Sequence, residues 1–398
     1  MDNYPLFNPL PAVVIGGPPH SGKSVLAHSL TRWLRERDVL HYLLRGYPPD
    51  GEGDWFMAGD RARAGALRVK GARSDGWLSP LRRDVARRQA PLIVDLGGRP
   101  TPAQEGLLDD CTHAVLLTPS AEKRAVWQRR VGRHGLVLLA DLVSDLDGCD
   151  RLDETEPVIR GCVAGLERGA LARGPAFEAL AERLARLFGS AAAGLPRQHI
   201  DTAPSDLAVQ LGPLARYLGA DPDRWHPRDL PGVLAYLPQG QPLALYGRGP
   251  NWLYAAVAVH ALPAPFFLFD ARRGWMRAPS VSAGQPAGGA LQATCHELPL
   301  LGAAYVHLSI ADAYLDAGAS QLVLPIRPVG GVVWGGKLPL WAYAALARDV
   351  DAPWAAVYQP QMQGAVVVRS RHPAFSVGSL ISLDPSIPGR ACPMPAAV

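Results

Sequence analysis

The chain has 398 residues, of which 48% are hydrophobic and 19% charged, and its formal net charge is +4. This length predicts two or three folded domains, and the composition excludes a disordered chain. The modest positive charge allows an anionic ligand and argues against stable binding of DNA. The five cysteines form no Cys-x-x-Cys pair, which argues against a disulfide framework and a zinc site. Without a signal peptide or a long apolar run, a cytoplasmic protein that does not bind membranes is expected.

The first predicted strand, Ala12–Ile15, runs into the sequence Gly17-Pro-Pro-His-Ser-Gly-Lys-Ser24, and a predicted helix follows from Ser24 to Arg37. This segment matches the phosphate-binding loop pattern G-x-x-x-x-G-K-[ST] in its strand–loop–helix context. The backbone N–H groups, the lysine and the positive end of the helix are expected to bind ATP. The serine hydroxyl is expected to bind Mg²⁺. The predicted nucleotide contacts in the loop are Gly17, His20, Ser21, Gly22, Lys23 and Ser24.

Further apolar segments alternate with helical patterns along the first half of the chain. Strands are predicted at Val39–Leu44, Leu92–Asp95 and Ala114–Leu117, and helices at Trp77–Gln89, Ala121–Arg130 and Pro175–Phe188. This alternation is typical of a doubly wound parallel sheet with covering helices. Asp95 ends a buried strand and is expected to hold Mg²⁺ together with Ser24. The alternative is an aspartate that merely ends a strand.

Two charged segments of this half leave their roles open. Tyr47–Trp55 carries three carboxylates where nucleotide kinases receive an acceptor, and a solvated turn explains it equally well. Arg130 lies among the arginines of Arg124–His134, where a lid arginine or one offered to a neighbouring subunit would contact the nucleotide. A charged helix face explains the same pattern.

A sequence pattern occurs twice in the second half of the chain. The first copy runs from Leu243 to Tyr254 and on to Asp270, and the second runs from Gly331 to Tyr343 and on to Gln359. Each copy predicts a strand, a Gly-basic-x-Pro turn, a helix that carries a tryptophan, and a second strand. Duplicated units of this kind usually pack face to face as a pseudo-dimer.

The Gly-basic-x-Pro turn has the features of an anion-binding helix start. Its glycine permits a close backbone approach, its basic residue places a cation there, and its proline suits the first helical turn. Trp252 and Trp341 on the two helices are candidates for stacking on bases, but a core position is the preferred interpretation.

The segments Gly247–Tyr254 and Gly364–Ser370 resemble the smallest family of CRISPR ring nucleases, which is associated with type III CRISPR systems. The resemblance covers about Arg228 to Leu383, in two copies. Short members of that family bind cyclic tetra-adenylate between two dimers and cleave it with help from Mn²⁺, and one variant carries a fused P-loop ATPase domain of the AAA type. The contacts of the cyclic nucleotide that the resemblance implies are Gly247, Arg248, Gly249, Asn251, Gly336 and Lys337.

The resemblance also implies a histidine before the second strand of each copy and an acid and a base after it. Asp270 and Arg272 keep the acid and the base in the first copy, whereas Gln359-Pro-Gln361 replaces them in the second. Asp270 and a histidine are expected to hold Mn²⁺. The implied catalytic residues are Asp270, Arg272, His260 and His372, and His296 and His307 are further candidates for the metal-binding histidine.

Together these observations predict an α/β protein with an N-terminal P-loop domain and a C-terminal duplicated ring-nuclease-like module. The predicted segments are a P-loop domain over 1–190, a linker over 191–227, and repeats over 228–305 and 306–398. The predicted function is cleavage of cyclic tetra-adenylate, coupled to an ATP-binding domain, in a homo-oligomer. The alternative is a cyclic-oligoadenylate sensor that regulates a P-loop ATPase or kinase without cleaving the ring. A third alternative is a nucleotide kinase with an unrelated C-terminal domain.

Overall fold

The computed structural model describes residues 10–46, 76–284, 291–310, 315, 321–324 and 330–383. The chain divides into two compact units. The first unit is Met1–His199 with the loop Ala271–Gly274, and the second is Ile200–Asp270 with Trp275–Val398. The acidic segment Tyr47–Trp55 lies outside the described residues, so its predicted role is not addressed by the structure.

The described part of the first unit is built on a seven-stranded sheet. Its strands are β1 (Ala12–Gly16), β2 (Tyr42–Arg45), β3 (Leu92–Asp95), β4 (His113–Thr118), β5 (Val137–Asp145), β6 (Arg151–Glu154) and β7 (Ile159–Ala164). Its helices are α1 (Lys23–Arg35), α2 (Leu78–Ala86), α3 (Pro102–Glu105), a 3-10 turn (Gly106–Asp110), α4 (Ala121–Arg133) and α5 (Pro175–Ala191), and α6 (Leu195–Asp201) spans the boundary between the units.

The strand order of this sheet is β2-β3-β1-β4-β5-β7-β6, and only the β6–β7 pair is antiparallel. Strand β1 lies between β3 and β4, and all of its residues are buried. Helices α1 and α5 pack on the sheet through one apolar core that includes Leu26, Leu30 and Phe177. The prediction of an α/β fold with a parallel sheet is confirmed, and the carboxyl ends of β1, β2 and β3 meet at one edge.

The ends of some elements differ from the sequence prediction. Strand β2 begins at Tyr42 rather than Val39. The reason is local: Asp38 has a φ of 53°, and the Val39 N–H donates back to the Leu34 carbonyl. These residues therefore close helix α1 and do not start a strand.

The second unit contains two larger sheets and a strand pair, in the orders β11-β10-β9-β8, β13-β14-β16-β17-β18-β19 and β12-β15. Its strands are β8 (Ala208–Gln210), β9 (Leu243–Tyr246), β10 (Phe266–Asp270), β11 (Gly274–Arg277), β12 (Ser280–Ala283), β13 (Leu291–Leu298), β14 (Ala303–Ile310), β15 (Gln321–Leu324), β16 (Gly331–Gly336), β17 (Trp354–Gln359), β18 (Gly364–Ser370) and β19 (Leu380–Ser382). Its helices are α7 (Leu211–Tyr217), α8 (Leu230–Tyr236), α9 (Asn251–His260) and α10 (Leu340–Asp349), with 3-10 turns at Pro227–Asp229, Pro299–Leu301 and Pro360–Met362.

The two copies of the sequence repeat have the same local structure. In each copy two neighbouring parallel strands, β9 and β10 or β16 and β17, are joined by a helix, α9 or α10. An earlier strand, β8 or β14, pairs in parallel with the first of them. A following strand, β11 or β18, starts at or immediately after a residue with positive φ, which is Gly274 or Gln363. The sequence repeat is therefore also a structural repeat.

The strands extend beyond the predicted repeat boundaries. The segment predicted as a linker contains α7 and β8, and β8 is a member of the first repeat's sheet. The predicted boundary between residues 305 and 306 falls inside β14, which pairs with β13 and β16 in the second repeat's sheet. Strands β8 and β14 precede the turn-and-helix signature, so the sequence repeat gives no signal for them.

Helices α9 and α10 pack against each other in a core that contains residues of both copies. Trp252 and Trp341 are 0% and 3% exposed, so the preferred interpretation of both as core residues is confirmed. No helix in the described part of the chain has the length and apolar character needed to cross a membrane. The described cysteines, Cys111, Cys149, Cys162 and Cys295, are not in disulfide bonds.

Candidate functional site

The glycine-rich loop Gly17–Gly22 connects β1 to α1 at the carboxyl edge of the first sheet. The Ser21 hydroxyl donates to the Pro18 carbonyl over 2.9 Å, and the Lys23 ammonium donates to the same oxygen over 2.7 Å. Gly22 has a φ of 80°, in the left-handed region that favours glycine. The loop is therefore closed on itself by two side chains immediately before the helix.

Three polar side chains meet beside this loop because β1, β2 and β3 are neighbours. In the strand register, Asp95 lies opposite Ile15 on one side and opposite Arg45 on the other. The Ser24 hydroxyl donates to Asp95 Oδ2 over 2.7 Å, and the Arg45 guanidinium lies 2.5 Å from the same oxygen. The two predicted metal ligands are thus together. Sequence reasoning missed Arg45, because the predicted strand ended at Leu44 and only the register of β2 against β3 brings Arg45 to Asp95.

The oxygen pair at this point suits Mg²⁺. Magnesium prefers oxygen ligands at 2.0–2.1 Å in octahedral geometry, so neighbouring ligands lie about 3 Å apart. The Ser24 and Asp95 oxygens are 2.7 Å apart. The described residues include no group of three or more His, Cys, Asp or Glu side chains that could hold a metal. A cation here would therefore take its remaining ligands from phosphate oxygens and water.

The Lys23 ammonium is buried, and its residue is only 7% exposed. Burial lowers the pKa of Lys23 to about 8, and the nearby Asp95 carboxylate opposes that shift. A bound anion would favour the protonated form and raise this pKa again. The loop is therefore electrostatically suited to a phosphate group.

If the loop binds the triphosphate of a ligand such as ATP, its affinity should fall as the pH rises above about 8. Below that pH Lys23 already carries its proton, and above it binding must also take up a proton. The dissociation constant should then rise by up to about tenfold per pH unit. Titration calorimetry at pH 7 and pH 9, in two buffers of different ionisation enthalpy, measures both the affinity and the proton uptake. Equal affinity at the two pH values without proton uptake would contradict the placement of Lys23.

Two other predicted nucleotide contacts are His20 and Arg130, and only His20 lies in the glycine-rich loop. His20 is exposed in the glycine-rich loop, with a φ of 63°. Arg130 lies well along α4, about 14 Å from the helix start at 1.5 Å per residue. Its guanidinium donates to Glu105 over 2.9 Å and lies 4.6 Å from the ring of Trp127. Arg130 and Arg133 of α4 therefore share the Glu105 carboxylate at the end of α3.

In the second unit the starts of α9 and α10 lie side by side. Asn251, the first residue of α9, lies close enough to Tyr343, near the start of α10, for its side chain to oppose the raised pKa of the Tyr343 hydroxyl. Near the other ends of the helices, the Arg348 guanidinium of α10 donates to the Ala258 carbonyl of α9 over 2.8 Å. The two helices therefore run in the same direction, and both amino-terminal ends open to the same side of the unit.

Each helix start also carries the same internal hydrogen bond. The Tyr254 hydroxyl donates to the Gly247 carbonyl over 2.5 Å, and the Tyr343 hydroxyl donates to the Gly336 carbonyl over 2.7 Å. Burial raises the pKa of both tyrosines, so both remain proton donors. We call the pair of turns Gly247–Pro250 and Gly336–Pro339 the double turn.

Gly336 is the tighter of the two turn glycines. Both glycines have positive φ, 112° at Gly247 and 117° at Gly336. A Cβ at residue 336 would lie 1.9 Å from the Leu308 carbonyl oxygen, whereas a Cβ at residue 247 would come no closer than 3.6 Å to any atom. Only Gly336 thus combines a strained backbone with a steric contact.

We therefore expect Gly247→Ala to lower the free energy of unfolding by about 1–2 kcal/mol, the cost of the backbone conformation alone. Gly336→Ala should lower it by about 3 kcal/mol or more, since strand β14 must also shift. Chemical denaturation of the two variants measures the difference. Equal losses would contradict the close approach of β14 to the turn.

Charged residues surround the double turn. Arg248 Nη2 lies 3.7 Å from Asp223 Oδ1, and its side chain is about half exposed. Asp270 ends β10, the parallel neighbour of β9, and its charge contributes to the raised pKa of Tyr254. Lys337 follows Gly336, and its charge contributes to the lowered pKa of His307. The structure thus brings together the predicted contacts of the cyclic nucleotide, including Gly249 within the first turn, and one predicted catalytic residue.

Two other predicted catalytic residues, His260 and His372, lie away from the double turn. His260 is the last residue of α9, at the far end of the helix, with its Nε2 atom 2.8 Å from the Leu237 carbonyl. His372 follows β18, whose last residue lies opposite the first residue of β17, at the other edge of the sheet. Arg272 belongs to the first unit, where it is 5% exposed and lies 5.5 Å from the ring of Tyr42.

A polar cluster lies next to the second turn. The sequence analysis named its two histidines, His296 and His307, but not its two tyrosines. Tyr305 lies opposite His296 in the β13–β14 register, and its ring centroid is 6.2 Å from that of His307 and 5.7 Å from that of Tyr358. A Cβ at Gly335 would lie 2.2 Å from the Tyr305 hydroxyl oxygen, so this hydroxyl lies over the strand that leads into the turn. We call His296, Tyr305, His307 and Tyr358 the aromatic–histidine cluster.

The two units define an α/β protein with parallel sheets, a glycine-rich loop in one unit and a duplicated helix-start turn in the other. Residues 317–382 match the sequence model of Cas_csx3, a CRISPR-associated protein family. The matched range includes α10 and the strands from β15 to β19, and thus most of the second copy of the repeat. The match supports a CRISPR-associated protein.

Two other comparisons add little. No curated protein matches the chain. Among solved structures, "Crystal structure of APE1195" is similar, with 22% identity, over 34% of this chain and 62% of that chain, at a TM-score of 0.16. The match therefore spans less than two thirds of that chain, and at this TM-score it adds nothing to the fold described above.

Proposed function

We propose that the protein binds and cleaves cyclic tetra-adenylate at the double turn and binds ATP with Mg²⁺ at the glycine-rich loop. The observation that carries the proposal is the double turn itself. Two helix starts open to one side of the unit, each with a cation, Arg248 or Lys337, beside it. Helix starts attract phosphates through their unpaired N–H groups and the helix dipole. The match of the second copy to a CRISPR-associated family supports a role in a CRISPR system.

A ring of identical nucleotides suits a duplicated turn, because two of its phosphates can each occupy one turn in the same way. Cleavage requires a ribose 2′-oxygen in line with the adjacent phosphorus and stabilisation of charge on the phosphoryl oxygens. Attack forms the new P–O2′ bond and breaks the P–O5′ bond, which leaves a 2′,3′-cyclic phosphate and a 5′-hydroxyl. Arg248 and Lys337 would stabilise the phosphoryl charge. Asp270 is the acid proposed to hold Mn²⁺.

ATP binding at the glycine-rich loop is supported by three features of the first unit. These are the closed loop, the buried Lys23 ammonium and the Ser24–Asp95 oxygen pair. When bound, Mg²⁺ would neutralise phosphate charge next to that pair. A cyclic nucleotide held between two duplicated modules needs two copies of the chain, so we also propose a homo-oligomer. We propose that this oligomer acts in the cytoplasm.

A second candidate function is a sensor that binds the ring without cleaving it and regulates ATP hydrolysis. It is favoured by the placement of the catalytic candidates, since His260 and His372 lie away from the double turn. In addition, the residue that ends β17 is Gln359, where the first copy has Asp270 at the end of β10. The second copy therefore lacks the acid of the first.

Incubating the full chain with cyclic tetra-adenylate and Mn²⁺, with and without ATP, tests the two functions. For the nuclease we expect linear products, and Asp270→Asn should lower the rate by about 10²-fold or more while the affinity is retained. The matched control is Gln359→Asn, which changes the equivalent residue of the second copy and should leave the rate unchanged. Binding without products, accompanied by a change in ATP hydrolysis, would favour the sensor. A folded protein that does not bind the ring would contradict both.

A further inference from the structure

We propose that Arg45 binds the terminal phosphate of ATP at the glycine-rich loop and thereby makes this site prefer ATP to ADP. The inference rests on the proposed function of the loop, since it requires that a nucleotide binds there. The residues that carry it all belong to the first unit. They lie outside the segment that matches the Cas_csx3 family, so that match assigns Arg45 no role.

Arg45 stands in a row of residues that crosses the carboxyl edge of the first sheet. In the strand register, Ile15 of β1 lies opposite Asp95 of β3, and Asp95 lies opposite Arg45 of β2. Neighbouring strands of a sheet are about 4.8 Å apart. The glycine-rich loop, which follows β1, therefore begins on one side of Asp95, and Arg45 lies on the other side.

This row has the same order as the phosphates of a nucleotide bound to such a loop. The backbone N–H groups of the loop pattern hold the α- and β-phosphates, and its lysine reaches the β- and γ-phosphates. Its serine lies at the point where the β- and γ-phosphates share a cation. In this chain that serine, Ser24, donates to Asp95 over 2.7 Å. The γ-phosphate, which ADP lacks, is thus the phosphate expected on the side of Asp95 and Arg45.

One carboxylate oxygen connects Arg45 to the serine. Asp95 Oδ2 accepts a hydrogen bond from the Ser24 hydroxyl over 2.7 Å and another from Arg45 Nη1 over 2.5 Å. The Asp95 side chain is only 7% exposed, so this anchor is itself held by packing. The ion pair orders the long arginine side chain before a ligand arrives. Less side-chain entropy is therefore lost when the ligand binds.

Arg45 also keeps hydrogen-bonding capacity that the fold does not use. A guanidinium has five N–H groups, and Asp95 is the one hydrogen-bond partner of Arg45 within the described part of the chain. Its side chain is 16% exposed. By contrast Arg88 of the same unit is 3% exposed and donates to the backbone carbonyls of Leu10 and Val85. Arg88 is thus a structural arginine, whereas Arg45 has donors left for a ligand.

The charges beside the loop favour the more highly charged nucleotide. Lys23 and Arg45 are two cations around one carboxylate, that of Asp95, so positive charge is in excess at neutral pH. The γ-phosphate adds negative charge on the side where Arg45 lies. A planar guanidinium can donate two parallel hydrogen bonds to one phosphate. Charge and donor geometry at Arg45 therefore both favour ATP over ADP.

The test is titration calorimetry of the full chain with the β,γ-imido analogue of ATP and with ADP, each in Mg²⁺ and in a chelator. The wild type should bind the triphosphate more tightly than ADP. Arg45→Gln should bind the triphosphate about 10–100-fold more weakly in both solutions, while its affinity for ADP stays within about threefold. Arg45→Lys keeps a cation beside Asp95 but not the planar fork, and it should lose less affinity than Arg45→Gln.

Arg151→Gln is the matched control. It removes an arginine–aspartate ion pair of the same length, 2.5 Å, to Asp153. Arg151 lies on β6, at the edge of the sheet opposite to β2. Both nucleotides should bind this variant as they bind the wild type.

Three results would overturn the role of Arg45. They are equal wild-type affinities for the two nucleotides, unchanged affinities in Arg45→Gln, and equal losses for both nucleotides, which would show that Arg45 only positions Asp95. A folded wild type that binds neither nucleotide would contradict the proposed function of the loop, and the role of Arg45 would fail with it. If Arg45→Gln does not fold, the guanidinium resonances of Arg45 in the wild type provide the second measurement. They must shift more with the triphosphate than with ADP, and equal shifts would also overturn the proposal.

Discussion

Lys23→Ala is expected to lower the rate of ATP hydrolysis by at least about 10²–10³-fold, the usual effect of removing one group that stabilises transition-state charge. The Lys23 ammonium is the cation of the glycine-rich loop, and it donates to the Pro18 carbonyl over 2.7 Å. A steady-state assay with Mg²⁺ measures the loss. Lys123→Ala is the matched control, because Lys123 is exposed on α4 and its removal should leave the rate unchanged.

Removing the Lys23 charge should lower the rate of hydrolysis but raise the stability of the ligand-free protein. The pKa of Lys23 is lowered from 10.5 to about 8 by burial, so the folded protein binds the proton less tightly than the unfolded chain does. Charge at this position therefore costs stability at neutral pH, and the cost is removed as the pH rises from about 8 through 10.5. Lys23→Met should raise the free energy of unfolding of the ligand-free protein by about 1–3 kcal/mol at pH 7. A variant that keeps ATP hydrolysis, or that is less stable than the wild type, would contradict this interpretation of the loop.

Combining Arg248→Ala with Lys337→Ala is expected to weaken binding of cyclic tetra-adenylate by about 10²–10⁴-fold. Each substitution removes one charge-assisted hydrogen bond to a phosphate, worth about 1.5–3 kcal/mol. Because the two cations stand at equivalent positions of the double turn, each single variant should bind about tenfold more weakly, or worse. Titration calorimetry of the four proteins measures these changes in affinity.

The salt dependence gives an independent measurement. The logarithm of the affinity should fall less steeply with the logarithm of the salt concentration in the double variant, by about 0.7 for each cation removed from a phosphate. Arg224→Ala, at an exposed arginine of the same unit, is the control and should change neither quantity. If only one of the two single variants binds more weakly, the ring touches one copy alone. If the double variant binds like the wild type, the proposed site is wrong.

Local sequence patterns predicted the parts of the fold that depend on neighbouring residues. The strand Leu92–Asp95 lies where the sequence places it, and α1 follows the glycine-rich loop as expected. Asp95 comes next to Ser24 because β3 pairs directly with β1, a pairing that no local pattern reports. For the same reason Arg45 was missed, since its role depends on the register of β2 against β3.

In the duplicated module, too, local sequence predicted some features, whereas contacts between distant residues determine the others. The sequence repeat predicted both turns and both helices, because glycine, a cation and proline recur with the same spacing. It could not predict that α9 and α10 run in the same direction, since that depends on contacts such as the one between Asn251 and Tyr343. The catalytic candidates His260 and His372 were chosen by order along the chain, which does not tell which sheet edge a residue occupies.

The covalent linkage of the two copies has a consequence for how this protein can change over time. In a dimer of identical single-copy chains, every substitution appears in both halves at once. Here Asp270 and Gln359 already differ at equivalent strand ends, and Asn251 and Leu340 differ at the first positions of the two helices. A substitution in one half can therefore be selected without the same substitution in the other half.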